Sequence, residues 1–334
     1  MDRQEGFQKY CFFNEISYTA TAWSSLTLRT KALHVFSDNN LAIIFDNLNR
    51  KFNKYRDNIK MSKEQLIVGL AILIMALGGC KPGNPVESNK NLKSGIEAFN
   101  KGKLDEAEKE FTAAIELDKK NSTAWYYRGI LYVSKNNLQK GIEDLSEAID
   151  ISPDTARFFD ARGYAYISMS DYSKAMEDYE KAVAKDPKNA VYINRRGYAY
   201  ALLNDYTQAV KDYNKAIELN PKYEDAYSNR GFAYINLKKY DKVVEDFSKA
   251  IEMNPNNAVY FNSRGYALSN MKRYADALAD FDVALRLDPK LADAFINRGY
   301  VFLNTGQFQF ALQDFDSAIK LGSITANNYN ARGY

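Results

Sequence analysis

The sequence predicts an all-α solenoid of about seven helix–turn–helix repeats, on three observations. Glycine recurs at Gly95, Gly129, Gly163, Gly197, Gly231, Gly265, Gly299 and Gly333, each 34 residues after the last, which takes eight of the 17 glycines in the chain. Each unit holds two stretches of about a dozen residues with apolar side chains three and four apart, the spacing that places them on one side of a helix. Proline follows the second stretch at Pro153, Pro187, Pro221, Pro255 and Pro289. There it ends a helix and restricts the residue before it. Such a unit cannot bury its own apolar face, so its stability has to come from the units stacked on either side.

In chain order, residues 1–60 share nothing with the repeat, and they hold the only histidine, His34, and the spare cysteine, Cys11. Residues 61–80, MSKEQLIVGLAILIMALGGC, have a short polar start and an apolar core of 12 residues. A core this short is below what spans a bilayer and within the range of a secretory signal. Its end, Leu77-Gly78-Gly79-Cys80, resembles the lipobox of bacterial lipoproteins. The resemblance implies cleavage before Cys80, diacylglycerol on its thiol and an acyl chain such as palmitate on its amine. Glu64 offsets Lys63 and weakens the positive start of that pattern. A buried apolar helix, or an anchor that is never cut, is the other reading. A signal peptide has to be N-terminal, so translation is expected to begin at Met61, with 1–60 a miscalled start. Residues 81–87 are expected to form a tether.

The repeat array is expected over 88–334 as seven units and the start of an eighth. In the second helix of each unit a small residue recurs at Ala107, Gly141, Ala175, Ala209, Ala277 and Ala311, broken by Val243. A bulky one recurs at Phe111, Leu145, Tyr179, Tyr213, Phe247, Phe281 and Phe315, and an alanine at Ala114, Ala148, Ala182, Ala216, Ala250, Ala284 and Ala318. Unit 122–155 carries Trp125, Gly129, Tyr132, Ala148 and Pro153. This set resembles the tetratricopeptide repeat, which implies a right-handed superhelix. Glycine and the small residue should let the paired backbones approach, with the bulky residue filling the space where they diverge. Val243 should set the pair in 224–257 slightly wider. The array stops at YNARGY without the polar cap such arrays use; an exposed last unit of that kind suits truncation, or cover by another molecule, a second copy included.

Arginine stands where the family has leucine, at Arg128, Arg162, Arg196, Arg230, Arg264, Arg298 and Arg332. Sixteen residues after each of the first six comes Asp144, Asp178, Asp212, Asp246, Asp280 or Asp314. One reading is a ladder for anionic ligands. Because the two columns occur together, the favoured reading is one structural ion pair per unit, the arginine stem packed on apolar neighbours.

Composition narrows function. Residues 1–80 hold 10 of the 45 basic and 7 of the 42 acidic residues, leaving 35 of each and no net charge for the rest. A neutral body with interleaved signs argues against nucleic acid. Beyond Cys80 there is neither His nor Cys. That removes Ser-His-Asp and Cys-His nucleophiles and His/Cys zinc sites, so no metal, cofactor or enzyme activity is expected. Carboxylate-only chemistry survives as a rival, and would show as an inward acid of raised pKa in a closed pocket.

In the family, repeat positions 2, 5, 9, 12 and 13 of the first helix line the concave face. Position 9 supplies Tyr164, Tyr198, Phe232, Tyr266 and Tyr300, position 5 Asn194 and Asn262, and position 13 Asn236, Asn270 and Asn304. Little charge joins them beyond Arg157, Asp160, Asp225 and Asp293. Asparagine can serve an extended peptide of any sequence, and tyrosine offers a rigid surface with a polar tip; equally, the rings could pack helix to helix. The sequence is thus expected to encode a lipid-anchored scaffold of the bacterial envelope that binds extended or helical segments of other proteins. The rivals are a peptidoglycan-binding module and, without lipidation, a cytoplasmic scaffold.

Overall fold

The computed structural model describes residues 84–323. The lipobox-like segment with Cys80, residues 1–60, and the start of the eighth unit with Arg332 and Gly333 lie outside the described residues. Fourteen helices and no strand occur among the described residues. They form seven antiparallel pairs: α1 (Pro85–Asn100) with α2 (Leu104–Leu117), α3 (Ser122–Ser134) with α4 (Leu138–Ile151), and α5 (Ala156–Ser168) with α6 (Tyr172–Lys185). Then come α7 (Ala190–Leu202) with α8 (Tyr206–Leu219), and α9 (Glu224–Asn236) with α10 (Tyr240–Met253). Last are α11 (Ala258–Asn270) with α12 (Tyr274–Leu287), and α13 (Ala292–Asn304) with α14 (Phe308–Lys320). Helix α1 begins at Pro85, three residues before the repeat register, because proline suits a first helical turn and Asn84 caps it by accepting from the Glu87 N–H.

The turn inside each pair is one motif used seven times. Gly102, Asn136, Ser170, Asn204, Lys238, Lys272 and Gly306 all sit at positive φ, between 56° and 75°. The next N–H reaches back to close the helix, as Asp171 N–H does to the Tyr166 carbonyl and Lys239 N–H to the Tyr234 carbonyl, both at 2.9 Å. This is the Schellman ending, which satisfies the last carbonyls of the first helix and reverses the chain within three residues. The second helices end differently. Ser152, Asp186, Asn220, Asn254 and Asp288, each just before a proline, leave the helical region with φ between −138° and −133°, and proline keeps them from resuming the helix.

The bulky column packs onto the glycines rather than beyond them. A Cβ on Gly163, Gly197, Gly231, Gly265 or Gly299 would lie 2.8–2.9 Å from the ring sixteen residues on. Gly129 would meet Leu145 at 2.8 Å, and there the small-residue column is also glycine, so that Gly141 lies against the Gly129 carbonyl. The expectation that the bulky side chain fills a divergence is therefore corrected: hydrogen at the glycine is the socket for the ring. Val243 is fully buried between α9 and α10. Along the array, first helices pack against first helices at most junctions, more closely than second helices do. The first helices therefore line the inner wall.

Candidate inner-wall interaction surface

Each ladder arginine holds its aspartate by two parallel bonds. Arg162 Nε and Nη2 donate to Asp178 Oδ2 and Oδ1 at 2.8 Å each; the corresponding distances are 2.7 Å at both atoms for Arg196–Asp212, and 2.9 and 2.6 Å for Arg230–Asp246. Arg128–Asp144, Arg264–Asp280 and Arg298–Asp314 repeat the geometry. All six aspartates are buried. Burial pushes the carboxyls of Asp144 and Asp246 up, against the pull of their arginines. At five junctions the remaining nitrogen, Nη1, donates to the preceding unit: to Thr112, Ser146, Asn214, Ser248 or Asp282. Rings flank the guanidinium, as Trp125 and Tyr132 do Arg128 and as Phe295 and Phe302 do Arg298. Five of the six arginines thus join three helices, with their donors engaged within the array, while Arg196 bonds only Asp212 among the described residues.

The ninth-position rings are divided between core and solvent. Tyr164, Tyr198, Phe232 and Tyr300 are 53%, 42%, 40% and 37% exposed. Two of them rest an inner edge on the glycine-seated rings: Phe232 meets Phe247 at 5.1 Å and Tyr300 meets Phe315 at 5.3 Å, both edge-on. Tyr266 is only half-exposed, since Tyr240 from the preceding unit covers it edge-on at 6.3 Å. Asn236, Asn270 and Asn304 are exposed on the same stripe, the first two donating to the carbonyls of Phe232 and Tyr266 one turn back.

Two of the residues assigned to the groove are not free. Asn194 is 5% and Asn262 9% exposed. Asn194 accepts from Asn229 and donates to the Tyr223 hydroxyl, and Asn262 accepts from Asn297 at 3.0 Å. Position 5 faces the next first helix, where these amides tie unit to unit. The charged version of the same link joins the Arg195 Nη1 to the Asp160 Oδ2 at 2.6 Å, leaving the buried Oδ1 without a partner. Desolvation raises the Asp160 pKa, and Arg195 opposes it. Position 6, which answers position 5 across each junction, escaped the sequence reading because it pairs only once two units are stacked. What remains exposed on the first helices, in full on α5, α9 and α13, is a stripe of positions 2, 9 and 13, spaced seven and four apart and hence on one face. No group of His, Cys, Asp and Glu able to hold a metal occurs among the described residues, and none of their helices is long and apolar enough to cross a membrane.

Comparison with known proteins agrees with this architecture. Models of the tetratricopeptide repeat match residues 92–156, 156–189, 178–211 together with 247–279, and 224–257, and a model described as TPR repeat matches 197–238. No curated protein matches the chain in sequence. A tetratricopeptide repeat protein from Parabacteroides merdae is similar in structure, with 20% identity and a TM-score of 0.57, over 74% of this chain and 98% of that one. The pilF protein of Pseudomonas aeruginosa is similar at 20% identity and a TM-score of 0.57, over 65% of this chain and 98% of its own. The Cut9–Hcn1 assembly contains a chain 13% identical with a TM-score of 0.58, over 74% of this chain and 46% of that one. At these identities the likeness speaks for the fold alone.

Proposed function

We propose that this chain, built of tetratricopeptide repeats across residues 92–279, is a non-catalytic scaffold that holds a segment of another protein along its first helices. The observation that carries the reading is the half-exposed ring column. Tyr164, Tyr198, Phe232 and Tyr300 present apolar surface to solvent at regular intervals, and the inner edges of Phe232 and Tyr300 are fixed by buried neighbours. Rings held this way lose little freedom when a partner covers them, so more of the contact energy appears as affinity. The Lys-free, amide-bearing stripe gives backbone hydrogen bonding without demanding one side-chain sequence.

The lipobox-like end at Cys80 supports attachment to a membrane of the bacterial envelope through a lipid, with the array projecting from it. Metabolic labelling with a fatty-acid analogue tests this part: label on the wild-type chain and none on Cys80→Ser is expected. Unlabelled wild-type protein would leave a cytoplasmic scaffold.

For the groove, crosslinking of intact cells followed by mass spectrometry should capture envelope proteins on the wild-type chain. Replacing Tyr198, Phe232 and Tyr300 by alanine should abolish that capture and keep the helical circular dichroism. Capture of purified sacculi instead, sensitive to the same variant, would turn the assignment toward a glycan.

A further inference from the structure

The free stripe is graded in charge, and one column carries the grading. Position 2 reads Asn89, Thr123, Arg157, Val191, Asp225, Val259 and Asp293 along the array. Arg157, Val191, Asp225, Val259 and Asp293 are all exposed. Arg157 lies over the rings of Tyr126 and Phe158, at 5.0 and 5.3 Å, and makes no ion pair among the described residues. Asp225 and Asp293 likewise make no ion pair or side-chain hydrogen bond among the described residues. Elsewhere on the wall Asp160 and Arg195 cancel each other. The inner face is therefore positive at the third unit, neutral and apolar at the fourth and sixth, and negative at the fifth and seventh. Helix stability does not account for Arg157, because a cation in the first turn opposes the helix dipole. Many exposed charges outside the stripe answer a neighbour three residues away, as Lys215 does Glu218 and Lys242 does Glu245.

Resting on the scaffold reading above, we infer that the occupant of this stripe is an extended, largely apolar protein segment with an acidic residue at the third unit and basic residues at the fifth and seventh. The exposed Val191 and Val259 alternate with the charges and take apolar side chains between them. Complementary charges at three points fix direction and register in a groove whose rings alone would accept many registers. Packed first helices stand about 10 Å apart, and an extended chain rises about 3.3 Å per residue, so one unit corresponds to about three residues. The acidic residue and the two basic ones thus fall about six residues apart each.

Synthetic 15-residue peptides test this on the whole chain by fluorescence anisotropy. One peptide of Leu, Phe, Ser and Gly carries Glu, Lys and Lys at six-residue intervals; a second has the opposite chain direction. Three others place Gln, Glu or Lys at all three points. At low salt one direction of the mixed peptide should bind tightest, and the all-Glu peptide about tenfold or more weaker, at about three- to fivefold per mismatched charge. Asp225→Lys with Asp293→Lys should make the all-Glu peptide lose its disadvantage and bind best when Arg157 is kept, and Arg157→Glu should favour the all-Lys one. All three positions are exposed, so these changes leave the fold intact. Equal affinities across the peptides, or an order unmoved by the swaps, overturn the charge assignment and leave the groove standing. Binding by none of the five overturns both.

Discussion

Gly231→Ala separates the socket described here from ordinary helix behaviour, because the two give opposite signs. In a helix interior alanine normally stabilises relative to glycine by about 1 kcal/mol. At Gly231 the new methyl would stand 2.8 Å from the Phe247 ring edge and 3.1 Å from two further ring atoms. Phe247 is fully buried, with Phe232 at 5.1 Å on one side and Tyr260 at 5.9 Å on another, so the ring has nowhere to retreat. Overpacking of this kind costs about 1–3 kcal/mol. The overlap should win, leaving the variant destabilised by about 1–2 kcal/mol. Urea unfolding followed by circular dichroism measures it, fitted with a nearest-neighbour repeat model because the array need not unfold in one step. Hydrogen exchange should place the loss in 224–257. In a Phe247→Ala background, itself costing about 3–5 kcal/mol, the same Gly231→Ala should turn stabilising. The socket argument would be falsified if Gly231→Ala stabilised the wild-type chain, or acted equally in both backgrounds.

Three further outcomes are expected. Lys238→Gly and Lys272→Gly, at φ of 56° and 60°, should each raise the melting midpoint, stabilising by about 0.5–1 kcal/mol because glycine enters the left-handed region without strain; a fall in the midpoint would contradict the turn assignment. Asp178→Ala should cost about 3–5 kcal/mol by stranding Arg162 in a largely buried site. The double variant Arg162→Met with Asp178→Leu should cost clearly less, as denaturation of both proteins would show. Lys135 bonds Asp105 and Glu108 of the preceding unit and holds both carboxyls below their usual range. A depressed folded pKa gives stability that stands above the ordinary carboxylate range and fades as pH falls through it. Lys135→Met should therefore melt lower than wild type at pH 7, with the gap closing by about pH 3.

The period made the helix pairs legible because glycine, ring, alanine and proline each answer a need met inside one unit. The Arg–Asp columns were legible for the same reason, their sixteen-residue offset being constant. The left-handed turn column was not, since Gly102, Asn136, Ser170 and Lys238 have little in common chemically; the Schellman geometry there is imposed by the helices on either side. Asn194 and Asn262 were misplaced for a different reason. Whether position 5 faces solvent depends on how closely two first helices approach, a property of the junction rather than of either unit. Tyr266 is covered by Tyr240 of the preceding unit, although Tyr172, Tyr206 and Tyr274 hold the same place before Tyr198, Phe232 and Tyr300, so the sequence column alone does not mark it.

Five of the six ladder guanidiniums reach across a junction as well as within a unit, so fraying cannot stop cleanly at a repeat boundary: opening one unit strips a clasp from the next. At Arg196 no third bond is made among the described residues, and the neighbouring Arg195 latches the same junction from the inner wall through Asp160. A pull along the array is therefore handed from arginine to arginine on one flank, except at this step, where it changes sides.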